Sequence, residues 1–208
     1  MAEKKGIFIV FEGPDRSGKT TQINLLAKYL KDKKIKFTLT REPGGCGLSE
    51  KIRELLLNPG NKISPMAELL LYEAARAQHT AEKILPALKR GEVVISDRFF
   101  LATLAYQGYG RNIDLKTVRR LNSIAALGLE PDITFLFLMP DSEFARRDRA
   151  LSGQKPDRIE REKSAFRKKV NSAYKKLANS EKNIVKINAC ESVEKINARI
   201  IERIKKLK

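Results

Sequence analysis

The sequence predicts an α/β layered fold around a parallel sheet, from three observations. Short apolar runs of strand length recur along the chain, segments of helical apolar spacing lie between them, and the first run ends in a glycine-rich turn that opens a helix. Ile7 to Phe11 is the first run, and Phe37 to Leu39, Val93 to Ile95, Ile133 to Leu138 and Ile184 to Ile187 resemble it, which gives five strands. After the first strand, Ile23, Leu26, Ala27 and Leu30 mark one face of a helix; Ile196, Ile200, Ile204 and Leu207 mark another at the end of the chain. Strands apolar throughout are covered on both faces, the signature of parallel pairing with right-handed crossovers. Two segments break the pattern. The glycine-rich stretch Pro43 to Gly47 predicts a surface loop or helix end, as does Arg146 to Arg158, where Ser152, Gly153 and Pro156 interrupt a crowd of arginines. The second has the composition of a mobile flap and equally of a plain exposed connection.

At 208 residues, with no internal repeat or low-complexity linker, the chain predicts a single domain, 1–208, with one hydrophobic centre. Its 42% hydrophobic residues include no apolar run near the roughly 20 that a membrane helix needs. The polar opening, Met1 to Lys5, leads straight into a strand, so no secretion signal is read and the cytoplasm is the expected location. Cys46, Cys190 and His79 have no metal-ligand spacing, which favours ordinary thiols. The formal charge of +17 should attract polyanions, but much of it is Lys in helical stretches (31 to 36, 163 to 176, 205 to 208), where a solvated face is the commoner explanation.

The chemistry is carried by Gly13-Pro14-Asp15-Arg16-Ser17-Gly18-Lys19-Thr20, which has the P-loop spacing between an apolar strand and an amphipathic helix. Glycines let backbone N–H groups wrap phosphate oxygens at a helix N-terminus, where the helix dipole also favours anions. Lys19 is expected on the β and γ phosphates and Thr20 on Mg²⁺, which makes ATP the expected donor. Thr21, next in the chain, joins the predicted ATP site. At the end of a later strand, Asp97 is placed to help hold the metal and Arg98 to clamp a phosphate with its planar fork. Phosphoryl transfer also needs positive charge on the equatorial oxygens, for which Arg16 and the cluster Arg146, Arg147 and Arg149 are candidates. Lys19, Arg16, Asp97 and Arg98 form the predicted catalytic set.

Four further stretches, in order, resemble bacterial-type thymidylate kinases: Arg41-Glu42-Pro43-Gly44-Gly45, Asp97-Arg98-Phe99, Ala105-Tyr106-Gln107-Gly108 and Asp157-Arg158-Ile159-Glu160. The resemblance runs from about Ile7 to Ile204. It implies a nucleoside monophosphate kinase fold, with a five-stranded parallel sheet flanked by helices and a short LID at about 146–158. It further implies a homodimer, Mg·ATP as donor and thymidine monophosphate as acceptor, for thymidine triphosphate synthesis, and neither a membrane nor a specific nucleic acid as partner. By position, Tyr72 matches the aromatic that stacks on the base, and Arg76 the arginine that hydrogen-bonds it. Arg53 and Arg98 match the arginines on the acceptor phosphate, and Glu42, with Pro43, the carboxylate loop near the acceptor and its metal. Thr103, Tyr106 and Gln107 match positions bordering base and sugar, with Tyr106 where a ribose 2′-OH would need space. Without the resemblance, Tyr72 and Arg76 would read as core or rim of a long helix.

The chain departs from the bacterial pattern at Arg16, where those relatives carry a small residue and eukaryotic-type relatives resemble Asp15-Arg16. The flap keeps Arg147 and Arg149, but the next position in the arginine series is Leu151. Arg16 is therefore expected to supply transition-state charge, Arg147 and Arg149 to cover ATP, and Asp15 to approach the sugar 3′-OH. The rival readings are a kinase for another nucleoside monophosphate, a nucleic-acid-binding P-loop ATPase suggested by the charge, and a catalytically silent P-loop scaffold.

Overall fold

In the computed structural model of the chain, residues 6–149 and 156–207 are described, apart from the side chains of Asp148 and Arg149. The central strand β1 (Ile7–Glu12) lies between β3 (Val93–Asp97) and β4 (Ile133–Leu138); β2 (Phe37–Arg41) and β5 (Ile184–Asn188) form the edges. All pairings are parallel, with Ile9 opposite Ile95 on one side and Ile133 on the other. The strand runs read from sequence are thus all present, each extended by up to two polar residues where it meets the functional edge.

The unbroken apolarity of β1 has a direct cause. Ile9 and Phe11 face a cluster with Leu26 and Leu30 of α1 (Lys19–Asp32) and Ile196, Ile200 and Ile204 of α9 (Val193–Lys205). Phe8 and Val10 face the opposite layer, with Ile84, Leu88 and Phe99. From Phe8 onward each residue of β1 is therefore buried whichever way its side chain points. Leu207, read as the next turn of the α9 stripe, lies beyond the helix end and is 38% exposed.

The opposite layer holds α2 (Gly47–Leu57), α3 (Pro65–His79), α4 (Leu85–Lys89), α5 (Phe100–Thr103), α6 (Leu115–Ala125) and α8 (Ser164–Ser180) among its helices, while α7 (Asp141–Arg149) sends Phe144 into the first cluster. Its second core packs Leu69, Leu101, Leu104 and Val118 against Val170, Tyr174 and Leu177. α3 passes into α4 through a π-helical stretch, Thr80–Ile84, just before Pro86, which has no N–H for a regular helical bond. A second π-helical stretch, Leu104–Gly110, extends α5. Among the described residues no helix is long and apolar enough to cross a membrane.

After β1 the chain builds β2 and β3 on one side and β4 and β5 on the other. This reversal leaves a crevice beyond the C-terminal ends of β1, β3 and β4, where open α/β sheets bind ligands.

Leu26 is fully buried in the α1 layer. Leu26→Ala should lower unfolding free energy by about 2–5 kcal/mol in urea denaturation; a loss under about 1 kcal/mol would mean that α1 does not seal this core.

Candidate active site

The loop from Gly13 to Gly18 turns sharply out of β1. Gly13 has φ 134°, and a Cβ there would stand 2.6 Å from the Phe137 carbonyl oxygen of β4. Gly18, at φ 94°, caps α1 with open space around it. Lys19 is buried and folds back into the loop, its Nζ donating to the carbonyls of Gly13 at 3.0 Å and Pro14 at 2.9 Å. Desolvation, with repulsion from Arg98, pushes its ammonium down to about 8. Arg16, Thr20 and Thr21 are exposed, while Ser17 is buried with no partner for its hydroxyl among the described residues.

Arg98 follows β3 in a left-handed turn (φ 73°), its N–H on the Phe11 carbonyl and its own carbonyl accepting from Ser96. Nη1 donates to the Gly13 carbonyl at 2.8 Å and the Tyr174 hydroxyl at 3.0 Å, and Nη2 donates to Asp15 Oδ1 at 2.5 Å. Tyr106 donates to the other Asp15 oxygen at 3.2 Å. Desolvation would raise the Asp15 carboxyl, but Arg98, Lys19 and these hydrogen bonds outweigh it and hold it below its ordinary range. Asp97 Oδ1 is buried and has no partner among the described residues. Together with Thr20 it faces the P-loop cleft, which Thr21, Arg41 and Arg53 also line. An orphaned carboxylate oxygen there suits a hard cation, and Mg²⁺ takes few protein ligands because phosphate oxygens and water complete its shell.

Beside the P-loop cleft lies a hollow of about 650 Å³. Every acceptor-side residue read from the sequence lines it: Asp15, Glu42, Pro43, Arg53, Tyr72, Arg76, Arg98, Thr103, Tyr106 and Gln107. Asp15, Glu42, Arg53 and Arg98 also line the P-loop cleft, so the two hollows meet at these side chains.

Two buried charge networks form the walls. Arg76 uses all its N–H groups: Nε on Glu42 at 2.8 Å, Nη1 on Glu73 and Asn122, and Nη2 on the Phe99 carbonyl and Thr103. The second Glu42 oxygen meets His79 Nδ1 at 3.0 Å, so both Glu42 oxygens are engaged, and Nε2 of the same ring meets the Thr40 hydroxyl at 2.6 Å. In the second network Glu68, with no exposed surface, accepts from Gln107 and Arg111 and pairs with Arg158 at 2.6 Å. Burial would raise the Glu68 carboxyl, but Arg111, Gln107 and Arg158 together hold it below its ordinary range.

The family model for thymidylate kinase matches residues 11–200. The chain belongs to the thymidylate kinase family. It is 49% identical to a thymidylate kinase of Prochlorococcus marinus strain NATL2A, over 98% of each chain. It is 52% identical to one of Pelotomaculum thermopropionicum, over 84% of this chain and 81% of that one. Its fold matches the crystal structure of thymidylate kinase from Ehrlichia chaffeensis with a TM-score of 0.77 at 32% identity, covering 97% of this chain and 99% of that one.

Of the flap, Arg146 stands exposed at the end of a helix, as read, and Arg158 alone departs clearly from an exposed position. Arg146 and Arg147 lie on α7, and Arg147 bridges Glu143, the Arg16 carbonyl and the Ala189 carbonyl. Arg158, at the far end, is drawn inward: its side chain is only 11% exposed, with Nε on the Leu56 carbonyl as well as the pair to Glu68. Leu151 and the Arg149 side chain, which carried part of the flap reading, lie outside the described residues. Sequence reading also missed Phe99, Asp157 and Glu160 as lining residues, although all stand in the stretches that carried the family resemblance.

Glu12 was missed too, because it closes an apolar strand and looks like the start of the loop. It is fully buried, with Oε1 accepting from the N–H groups of Phe99 at 2.8 Å and Ala102 at 3.1 Å. Burial pushes its carboxyl from 4.5 up to about 7 against the opposing pull of Arg98. A carboxyl whose folded pKa exceeds its unfolded value stabilises the fold in its protonated form. That contribution is full below about pH 4.5 and is lost as pH rises through about 7. Glu12→Gln should therefore melt higher relative to the unsubstituted protein at pH 8 than at pH 5; a difference that does not vary with pH would contradict the buried carboxyl's role.

Proposed function

We propose that the chain transfers the terminal phosphate of ATP to thymidine monophosphate. The observation that carries this reading is the junction of the two hollows at Asp15, Glu42, Arg53 and Arg98. A nucleotide filling the acceptor hollow presents its phosphate at the place where the P-loop presents the donor phosphates, and such positioning accounts for much of phosphoryl-transfer catalysis.

On the acceptor side, Tyr72 offers a ring face to thymine. Arg76, its donors already engaged, meets the base by sharing an N–H with one of its present partners, of which Thr103 also lines the hollow. Gln107 is fixed by Glu68 at the same wall. Asp15, held by Arg98 and Tyr106, approaches the sugar 3′-OH, and the Tyr106 ring takes the space of a 2′-OH. An apolar contact with the thymine methyl gives about 1–3 kcal/mol of preference over uracil. Arg53 and Arg98 grip the acceptor phosphate.

On the donor side, the backbone from Gly13 to Gly18 wraps the phosphates and Lys19 leaves its two carbonyls to meet them. Thr20 and Asp97 hold Mg²⁺, which when bound neutralises charge on the donor phosphate oxygens. Arg16 is exposed at the cleft and supplies charge to the transferring group, while Arg147 covers the donor from the rim. The enzyme acts as a homodimer in the cytoplasm. Support for pairing comes from Leu48, Leu55, Met66 and Leu70 on the adjacent helices α2 and α3, whose exposures lie between 46% and 52%.

A coupled assay of ADP release with Mg·ATP and each nucleoside monophosphate should show turnover mainly with thymidine monophosphate. Arg16→Ala should lower kcat by about 10³-fold or more, the contribution of an arginine finger. Preferred turnover of another monophosphate would overturn the base-site assignment, and full activity in the variant would remove Arg16 from the mechanism.

A further inference from the structure

Tyr174 lies on α8, far along the chain from the P-loop and the turn at Arg98, and is fully buried. Its ring packs in the core with Leu101, Leu104 and Val170, which explains a large side chain there but not a hydroxyl. The hydroxyl donates to Glu12 Oε2 at 3.2 Å and accepts from Arg98 Nη1 at 3.0 Å. Glu12 in turn is pinned through its other oxygen by the N–H groups of Phe99 and Ala102. A continuous chain thus runs from the start of α5 through Glu12 and Tyr174 to the guanidinium of Arg98.

Arg98 has one fixed edge and one free edge. Nη1 is saturated by two buried acceptors, the Gly13 carbonyl and the Tyr174 hydroxyl. Nη2 reaches only Asp15, a side chain that is 54% exposed, and Nε has no partner among the described residues. The guanidinium also lies 5.4 Å from the centre of the Tyr106 ring. Holding Nη1 turns the Nε–Nη2 edge, which Asp15 shares through Nη2, toward the hollow as the pair of parallel donors that can take two oxygens of one phosphate.

We propose that Tyr174 is a positioning residue for the acceptor phosphate, acting through Arg98 and oriented by Glu12. The inference rests on the reading of Arg98 as an acceptor-phosphate arginine. It places part of acceptor affinity in a hydroxyl within the core and ties that affinity to α8, the helix that follows the flap.

The test is a double-mutant cycle on the affinity for thymidine monophosphate, measured by titration calorimetry at pH 8 with Tyr174→Phe, Arg98→Ala and the pair. ATP affinity and melting temperature serve as controls. Tyr174→Phe keeps the ring, so melting should shift by only a few degrees and ATP affinity by less than about twofold. Thymidine monophosphate should bind roughly tenfold more weakly, the scale of a hydrogen bond to a charged group. In the Arg98→Ala background the same change should cost less than about twofold. Unchanged acceptor affinity in Tyr174→Phe, or a full tenfold loss that persists without Arg98, would overturn the inference while leaving the acceptor reading of Arg98 intact. Acceptor affinity unaffected by Arg98→Ala alone would overturn both. Should Tyr174→Phe fail to fold, Glu12→Gln decides: at least a twofold loss of acceptor affinity supports the relay, and no loss refutes it.

Discussion

The carbonyl of Gly13 accepts from two cations, Lys19 Nζ at 3.0 Å and Arg98 Nη1 at 2.8 Å. Burial first, and then repulsion between the Lys19 ammonium and the Arg98 guanidinium, hold the Lys19 ammonium down, against the opposing pull of Asp97, Asp15 and Glu12. The geometry follows from the sheet. β1 and β3 pair in register from Ile7 with Val93 to Phe11 with Asp97, so the residues just beyond their ends must meet. The left-handed turns at Gly13 and Arg98 aim both chains at the same point. Two cations held at one carbonyl favour an anion at this point whatever the global charge, in keeping with the proposed phosphate site.

The hollow proposed for the acceptor depends on a different kind of constraint. Its walls are charged side chains taken out of water: Glu42, Glu73 and Arg76 in one network, Glu68, Arg111 and Arg158 in the other. Apolar side chains of similar volume can stabilise a fold as well or better, while breaking one member of such a network is strongly destabilising. What the networks provide is fixed geometry. Arg76 cannot rotate without orphaning several partners, and Arg158 ties the segment after the flap to α3, directly beside Gln107. A pocket that discriminates by a few contacts requires such immobility.

Much of this was legible in the sequence. Strand runs bounded by turn residues located the sheet, and the P-loop spacing located the glycine turn between β1 and α1. The acceptor residues could be assigned only through family resemblance, because Tyr72 and Arg76 look like ordinary positions of a long helix until the fold sets α3 beside the cleft. Glu12, Glu68 and Tyr174 stayed hidden for a common reason. Each works through partners far away in the chain, Glu12 and Tyr174 being 162 positions apart. Arg158 misled because composition marks an arginine among Gly, Ser and Pro as exposed, while its actual environment is set by a carboxylate on another helix. Leu207 misled because helical periodicity says nothing of where the helix stops.

The central claim is that one set of side chains joins two hollows so that donor and acceptor phosphates meet. It is tested most directly by titration calorimetry with a molecule in which adenosine and thymidine are linked through a chain of five phosphates. Occupation of both hollows at once makes the second contact intramolecular, so this molecule should bind at least about 100-fold more tightly than thymidine monophosphate alone. Affinity no greater than that of either nucleotide by itself would show that the two hollows are not parts of one active site.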